Sequence, residues 1–231
     1  MSEPSCAAVI LAAGASRRLG QAKQLVKIEG EPLLGRTVRL AAQAGCQPIV
    51  VVLGFEAHRM CSALDGFRVI VAVNENWPVG MGSSMRCGVE TALGMSPPPD
   101  HILLMLCDQV RLSTEVLRQL LRQHGLAKHP ITAARYGGRL GVPAVFSSIF
   151  FPDLLAVTGD RGARGILERN AVRVGTVDFL EGELDLDTRE DLERSTGLSG
   201  PQRDAPSSMC EKTRMETSGR CRPSQGNLSN G

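Results

Sequence analysis

The sequence predicts an α/β fold with a largely parallel central sheet and helices on both faces. Two observations carry this. Short apolar runs alternate with longer amphipathic ones from Cys6 to Gly125, the pattern of strands joined by helical crossovers. The runs are also apolar throughout rather than alternating, as strands buried on both faces must be.

The elements follow in order. "CAAVILAA" reads as the first strand. "PLLGRTVRLAAQAG" reads as a helix, with Pro32 near its start and Gly45 past its end. "QPIVVVLG" is the next strand, "FEAHRMCSAL" a helix and "FRVIVAVN" a third strand. "SSMRCGVETALG" reads as a helix capped by Ser83 or Ser84. The strand "HILLMLC" and the helix "STEVLRQLLRQHG" follow. Beyond Pro130, "ITAARYGGRLGVPAVF" suggests a hairpin around Gly137 and Gly138, and "GARGILERN" a helix. "ELDLDTREDLERS" reads as a short strand running into a helix, with Thr188 and Asp191 as a capping-box pair. From Gly197 the chain is rich in Ser, Gly, Pro and charge, the composition of a disordered tail.

The 231 residues suffice for one domain with a sizeable core, and 42% are hydrophobic. A net charge of +2 gives no bulk attraction for nucleic acid or membranes, and 3% aromatics leave little to stack bases on. The 7 cysteines include no C-x-x-C pair, so a zinc cage is disfavoured and a reducing, cytoplasmic setting is expected. Neither a signal peptide nor a membrane-spanning run is expected. The histidines are scattered, and none is assigned to catalysis.

In parallel α/β sheets ligands lie beyond the carboxyl ends of the strands. The first strand empties there into "GASRRLGQAK". Ser16 stands where a dinucleotide loop needs its second glycine, and Lys23 does not follow a glycine as in a Walker A loop. What remains is a turn of backbone N–H groups with Arg17, Arg18 and Lys23, able to wrap a polyphosphate; the alternative is a solvated basic turn. Asp108 ends another strand on the same edge, where a carboxylate can hold Mg²⁺ together with phosphate oxygens. In "WPVGMGSSMRCG", Gly80 and Gly82 permit close backbone approach and Ser83 and Ser84 offer hydroxyls. Asp185 and Asp187 share a face if extended, and either could complete a metal site. Arg161 and Arg164 in "GDRGARG" offer a second anion site or a solvated loop. "GVPAVF", with Gly141 and Pro143, reads by itself as a structural turn.

In order, "LAAGASRRLGQAK", "GMGSSMRCG", "CDQV", "GVPAVF", "GDRGAR" and "DLDTRED" resemble the motifs of the MobA-like nucleotidyltransferases, and within them the molybdenum cofactor cytidylyltransferases. The resemblance runs from about Ala7 to Arg194. It implies a Rossmann-like three-layer α/β/α domain over residues 1–196, with 197–231 as the tail. It implies transfer of a nucleoside monophosphate from a nucleoside triphosphate to a phosphorylated acceptor, with release of pyrophosphate. By match, Leu11, Ala12, Ala13 and Gly14 supply the nucleotide loop, and Arg18 and Lys23 hold its phosphates. Gly82 and Ser84 fall on the base side. Gly141, Pro143, Arg161 and Arg164 fall on the acceptor side. Lys23, Arg18 and Asp108 form the implied catalytic set, and Asp108 with Asp187, chosen over Asp185, the Mg²⁺ site. Ala13 stands where guanylyl members resemble "LAGG", which favours CTP, although one methyl is worth only ~1–3 kcal/mol. The implied acceptor is molybdenum cofactor (molybdopterin), with a molybdoenzyme or its maturation chaperone as a further partner. A sugar phosphate acceptor and a non-catalytic cofactor-binding maturation protein are the alternatives. Ala22, Val110 and Arg189 depart from prolines common in the family, and none of these changes removes a charged or metal-binding group.

Overall fold

The computed structural model describes residues 4–126, 129–186 and 188–196. Strand β1 (Cys6–Leu11) is an interior strand, third in the order of a seven-stranded sheet. Its alternate side chains feed two separate cores, Ala8 and Ile10 on one face and Ala7, Val9 and Leu11 on the other. That explains its uninterrupted apolar sequence.

A two-residue hairpin, β2 (Lys27–Ile28) with β3 (Glu31–Pro32), leads into α1 (Leu33–Gln43). Gly45, at φ +93°, follows the helix in the left-handed region. Strands β4 (Ile49–Leu53) and β5 (Ile70–Val73) extend the sheet in parallel on one side of β1. The helix expected between them is one turn, α2 (Ala57–Met60), followed by a 3₁₀ turn. Its entry residue, Glu56, is left-handed at φ +48°, so the regular helix cannot begin earlier.

Helix α3 (Met81–Leu93) begins before the serines expected to cap it. Gly80 is the N-cap, at φ +121°, and no side chain caps the helix. Ser83 instead lies within the first turn, its hydroxyl 2.8 Å from the Gly80 carbonyl and 2.9 Å from that of Asn76.

Strand β6 (His101–Leu106) pairs in parallel with β1, and α4 (Thr114–Leu126) follows it. The expected hairpin is β7 (Ile131–Tyr136) with β8 (Arg139–Ser147). Strand β8 inserts antiparallel beside β6, and β7 pairs on its far side. A register shift between Ala133 and Ala134 makes Val142–Pro143 a bulge within β8 rather than a turn ahead of it. Helices α5 (Phe151–Ala156) and α6 (Arg164–Arg169) precede the edge strand β9 (Val174–Asp178). The sheet order is β5-β4-β1-β6-β8-β7-β9.

The short strand expected at "ELDL" is a single bridge between Asp185 and Gln109, because its neighbour there is a turn rather than a strand. Helix α7 (Arg189–Thr196) carries the expected capping box. The Thr188 amide donates to Asp191 Oδ2 at 2.8 Å, and the Asp191 amide donates to Thr188 Oγ1 at 3.2 Å. The tail from Gly197 lies outside the described residues, and no described helix is long and apolar enough to cross a membrane.

Candidate active site

The carboxyl ends of β1, β4, β5 and β6, with the start of the antiparallel β8, share one edge of the sheet. The loop leaving β1 is pinned there at two points. Leu19 is buried in the core on the α1 face. Gln24, 1% exposed, donates from Nε2 to the carbonyls of Ala12 at 2.8 Å and Gly14 at 2.9 Å. The Phe55 amide donates to the intervening Ala13 carbonyl at 3.1 Å. Three successive carbonyls are therefore bound within the protein. The amides of Gly14, Ala15, Ser16 and Arg17 donate to no group among the described residues. Successive backbone N–H groups without partners form an anion-binding concavity.

Ser16 turns this loop with a left-handed φ of +50°, and its hydroxyl accepts from the Lys23 amide at 3.2 Å. Lys23 Nζ reaches Asp108 Oδ2 at 2.5 Å. The structure thus joins two residues that the sequence placed on separate strand ends. Asp108 Oδ1 is buried and makes no hydrogen bond among the described residues. Arg18 is exposed on the same loop. Cys107, beside Asp108, is fully enclosed; burial first, and then the Asp108 charge, push its thiol up to about 12. It is held neutral and packs rather than reacts.

Leu11, Ala12 and Ala13 are buried, and Ala13 belongs to the apolar cluster on the α3 face. At 6% exposure its methyl presents little surface to a ligand. Gly82 is also explained within the protein: a Cβ there would meet the Val157 carbonyl oxygen at 2.8 Å. Its amide donates to the Gly159 carbonyl at 2.8 Å. The close backbone approach expected of a flat ligand is made here by the 157–160 loop. Ser84 is buried, its hydroxyl accepting from Asn74 Nδ2 at 3.0 Å. Asn74 also reaches Ser83 and receives the Asn76 amide, so it organises the loop after β5.

On the other flank, Gln109 donates to the Val142 carbonyl at 2.8 Å, and the Tyr136 hydroxyl donates to the same oxygen at 3.0 Å. Burial, and then the charge of Asp185, hold the Tyr136 phenol up at about 12, so it remains a donor. A Cβ on Gly141 would lie 2.1 Å from the Tyr136 hydroxyl oxygen, so glycine there makes room for the ring. Pro143 thus lies in, and Gly141 beside, a bulge tied to the Asp108 turn through Gln109. Asp185 is exposed and bridges to Gln109 through its backbone. Asp187 lies outside the described residues.

Arg161 and Arg164 are exposed and share Glu168, at 3.2 and 2.7 Å. Arg161 and Arg169 line a cavity of about 230 Å³ between α5 and α6, which Arg164 does not line. No group of three or more metal-ligating side chains occurs among the described residues. The residues that sequence reasoning missed are Gln24, Asn74, Gln109 and Tyr136. The cue for Gln24 and Gln109 is that each directly follows a charged member of the Lys23–Asp108 pair.

A parallel sheet bearing an anion-binding loop at the end of its first strand defines a nucleotide-binding α/β protein. The model of the MobA-like NTP transferase domain matches residues 8–174, and the chain belongs to that family. It is 34% identical to nicotine blue oxidoreductase of Paenarthrobacter nicotinovorans, over 83% of this chain and 96% of that protein. It is 31% identical to the purine catabolism protein PucB of Bacillus subtilis, over 84% and 97% respectively. It is 36% identical to a probable molybdenum cofactor guanylyltransferase of Synechococcus elongatus, over 55% of this chain and 63% of that one. The crystal structure of Rv0371c from Mycobacterium tuberculosis H37Rv superposes with a TM-score of 0.71 at 30% identity, covering 85% of this chain and all of that one. A manganese complex of Rv0371c superposes with a TM-score of 0.68 at 27% identity and the same coverage.

Proposed function

We propose that this nucleotidyltransferase moves CMP from CTP to a phosphorylated small-molecule acceptor, molybdenum cofactor in the first instance, and releases pyrophosphate. The observation that carries the reading is the run of unpartnered amides from Gly14 to Arg17 on the loop that also carries Lys23, paired with Asp108. CTP is inferred from the "LAAG" motif with Ala13 at its third place.

The chain's own groups account for the binding steps. The loop amides and Arg18 take the β- and γ-phosphates. Lys23 sits where it can exchange Asp108 for an α-phosphate oxygen. The acceptor's phosphate oxygen attacks the α-phosphorus, and the bond from that phosphorus to the bridging oxygen breaks as pyrophosphate leaves. A phosphate monoester is already an anionic nucleophile, so no general base is needed. Pro143 in the bulge and Gly141 beside it, with Arg161 and Arg164, form the proposed acceptor side.

The unpartnered buried Asp108 Oδ1 fits a hard divalent cation, which takes one or two carboxylates and completes its shell with phosphate oxygens. Asp187 is the proposed second carboxylate, and the manganese complex of Rv0371c supports a divalent ion. When bound, Mg²⁺ supplies charge neutralisation on the triphosphate.

The name of the Paenarthrobacter relative raises an oxidoreductase reading. Ser16 in place of the second glycine of a dinucleotide loop weighs against it. The test is pyrophosphate release from CTP, GTP, ATP and UTP with Mg²⁺, with and without molybdenum cofactor, alongside NADH consumption. Acceptor-dependent release fastest with CTP is expected. Release with GTP alone would overturn the base assignment. Release with sugar 1-phosphates but not molybdenum cofactor would overturn the acceptor, and NADH turnover without pyrophosphate would overturn the transferase reading.

A further inference from the structure

We propose that Gln24 is a positioning residue that pre-organises the triphosphate loop by holding its carbonyl groups away from the ligand. The inference rests on the reading of that loop as the nucleotide site. The 3₁₀ turn Lys23–Leu25 sends two consecutive side chains in opposite directions. Lys23 reaches outward to Asp108, while Gln24 reaches inward to the Ala12 and Gly14 carbonyls. With the Phe55 amide on the Ala13 carbonyl, all three oxygens are fixed. A carbonyl swung toward a triphosphate would repel it, whereas a tied carbonyl leaves the following amides free to donate. The brace thus keeps the amides of Gly14 to Arg17 available before any ligand arrives, and lowers the ordering cost of binding.

The chemistry of the side chain supports this role. Gln24 is 1% exposed, and its Oε1 is buried without a hydrogen-bond partner among the described residues. Burying an unsatisfied acceptor is unfavourable, so packing alone would select an apolar residue there. What an apolar residue cannot supply is two N–H donors aimed at two carbonyls. Glutamate would match the shape and turn a carboxylate on those same oxygens.

The test is the dissociation constant of Mg²⁺-CTP and of Mg²⁺-GTP, measured by calorimetry at 10 °C on the full chain. The proteins are the wild type, Gln24→Met, and Leu120→Ala as a control for destabilisation in a buried position of α4. Gln24→Met is expected to bind about tenfold more weakly or worse, by the same factor for each nucleotide the wild type binds. Leu120→Ala is expected to stay within about twofold of wild type despite a lower Tm. Binding by Gln24→Met within about twofold of wild type overturns the inference, as does an equal loss in Leu120→Ala. Wild-type protein that binds neither nucleotide overturns the reading of the site, and the inference with it. If Gln24→Met does not fold, the wild type supplies the measurement. The Gln24 side-chain NH₂ protons should be protected from solvent exchange in both free and nucleotide-bound protein, and rapid exchange would overturn the role.

Discussion

Asp108→Asn keeps the shape of the side chain and removes its charge. Lys23 Nζ, 2.5 Å away, would then face a neutral amide with only 16% of its side chain exposed. Removing one partner of a fully buried ion pair costs about 3–5 kcal/mol. The residual exposure of both side chains screens part of that, leaving a cost of about 1–3 kcal/mol. At ~2–4 °C per kcal/mol for a domain of this size, Tm should fall by about 2–12 °C with the fold intact. Turnover should fall as well, because the same carboxylate is proposed to serve the reaction. Loss of one pre-organised electrostatic contact is worth ~10²–10³-fold. Lys23→Ala should lose a comparable factor, about 10²-fold or more. Groups that act as a unit are not additive, so the double variant should be little slower than the worse single one. The assay is pyrophosphate release with CTP, Mg²⁺ and acceptor, with melting curves on the same preparations. Wild-type-like rates in both single variants would refute the placement of the reaction at this pair.

Three further outcomes are expected. Gly82→Ala drives a Cβ to 2.8 Å from the Val157 carbonyl oxygen. It should destabilise by about 1–3 kcal/mol, as overpacking does, and unchanged denaturant midpoints would show that the 157–160 loop yields freely. Tyr136→Phe removes the 3.0 Å hydrogen bond to the Val142 carbonyl, which Gln109 still reaches. A loss of about 1 kcal/mol in urea unfolding is expected, and no loss would show that the bulge does not depend on it. His124 is buried at the opposite edge of the sheet against Thr132, Ser147 and His101. Burial, and then His101, hold it down at about 4. The unfolded chain therefore binds the proton first: stability is full above about pH 6.5 and is lost as pH falls toward 4. Tm should fall over that window more steeply in wild type than in His124→Gln, and parallel curves would contradict this.

The sheet was legible because its strands are buried on both faces, so burial is written in uninterrupted apolar runs such as Ile49–Leu53. The helix after β4 is shorter than its sequence suggests, because composition does not reveal a left-handed residue such as Glu56. The start of α3 at Gly80 rather than at the serines has a related cause. Gly80 and Gly82 answer to a loop some eighty residues downstream, and no local signal encodes that contact. Lys23 and Asp108 were legible as charges at strand ends, but their pairing is tertiary. Gln24 and Gln109 carry no such signal, because an uncharged side chain next to a motif reads as filler until its burial is known.

The central claim, that the α-phosphate of a nucleoside triphosphate passes to a phosphorylated acceptor, is tested most directly by following the label. CTP labelled at the α-phosphorus and CTP labelled at the γ-phosphorus are each incubated with protein, Mg²⁺ and molybdenum cofactor. The α-label is expected covalently on the acceptor and the γ-label in pyrophosphate. An α-label that stays in free CTP or CMP, or a γ-label released as orthophosphate, would contradict it.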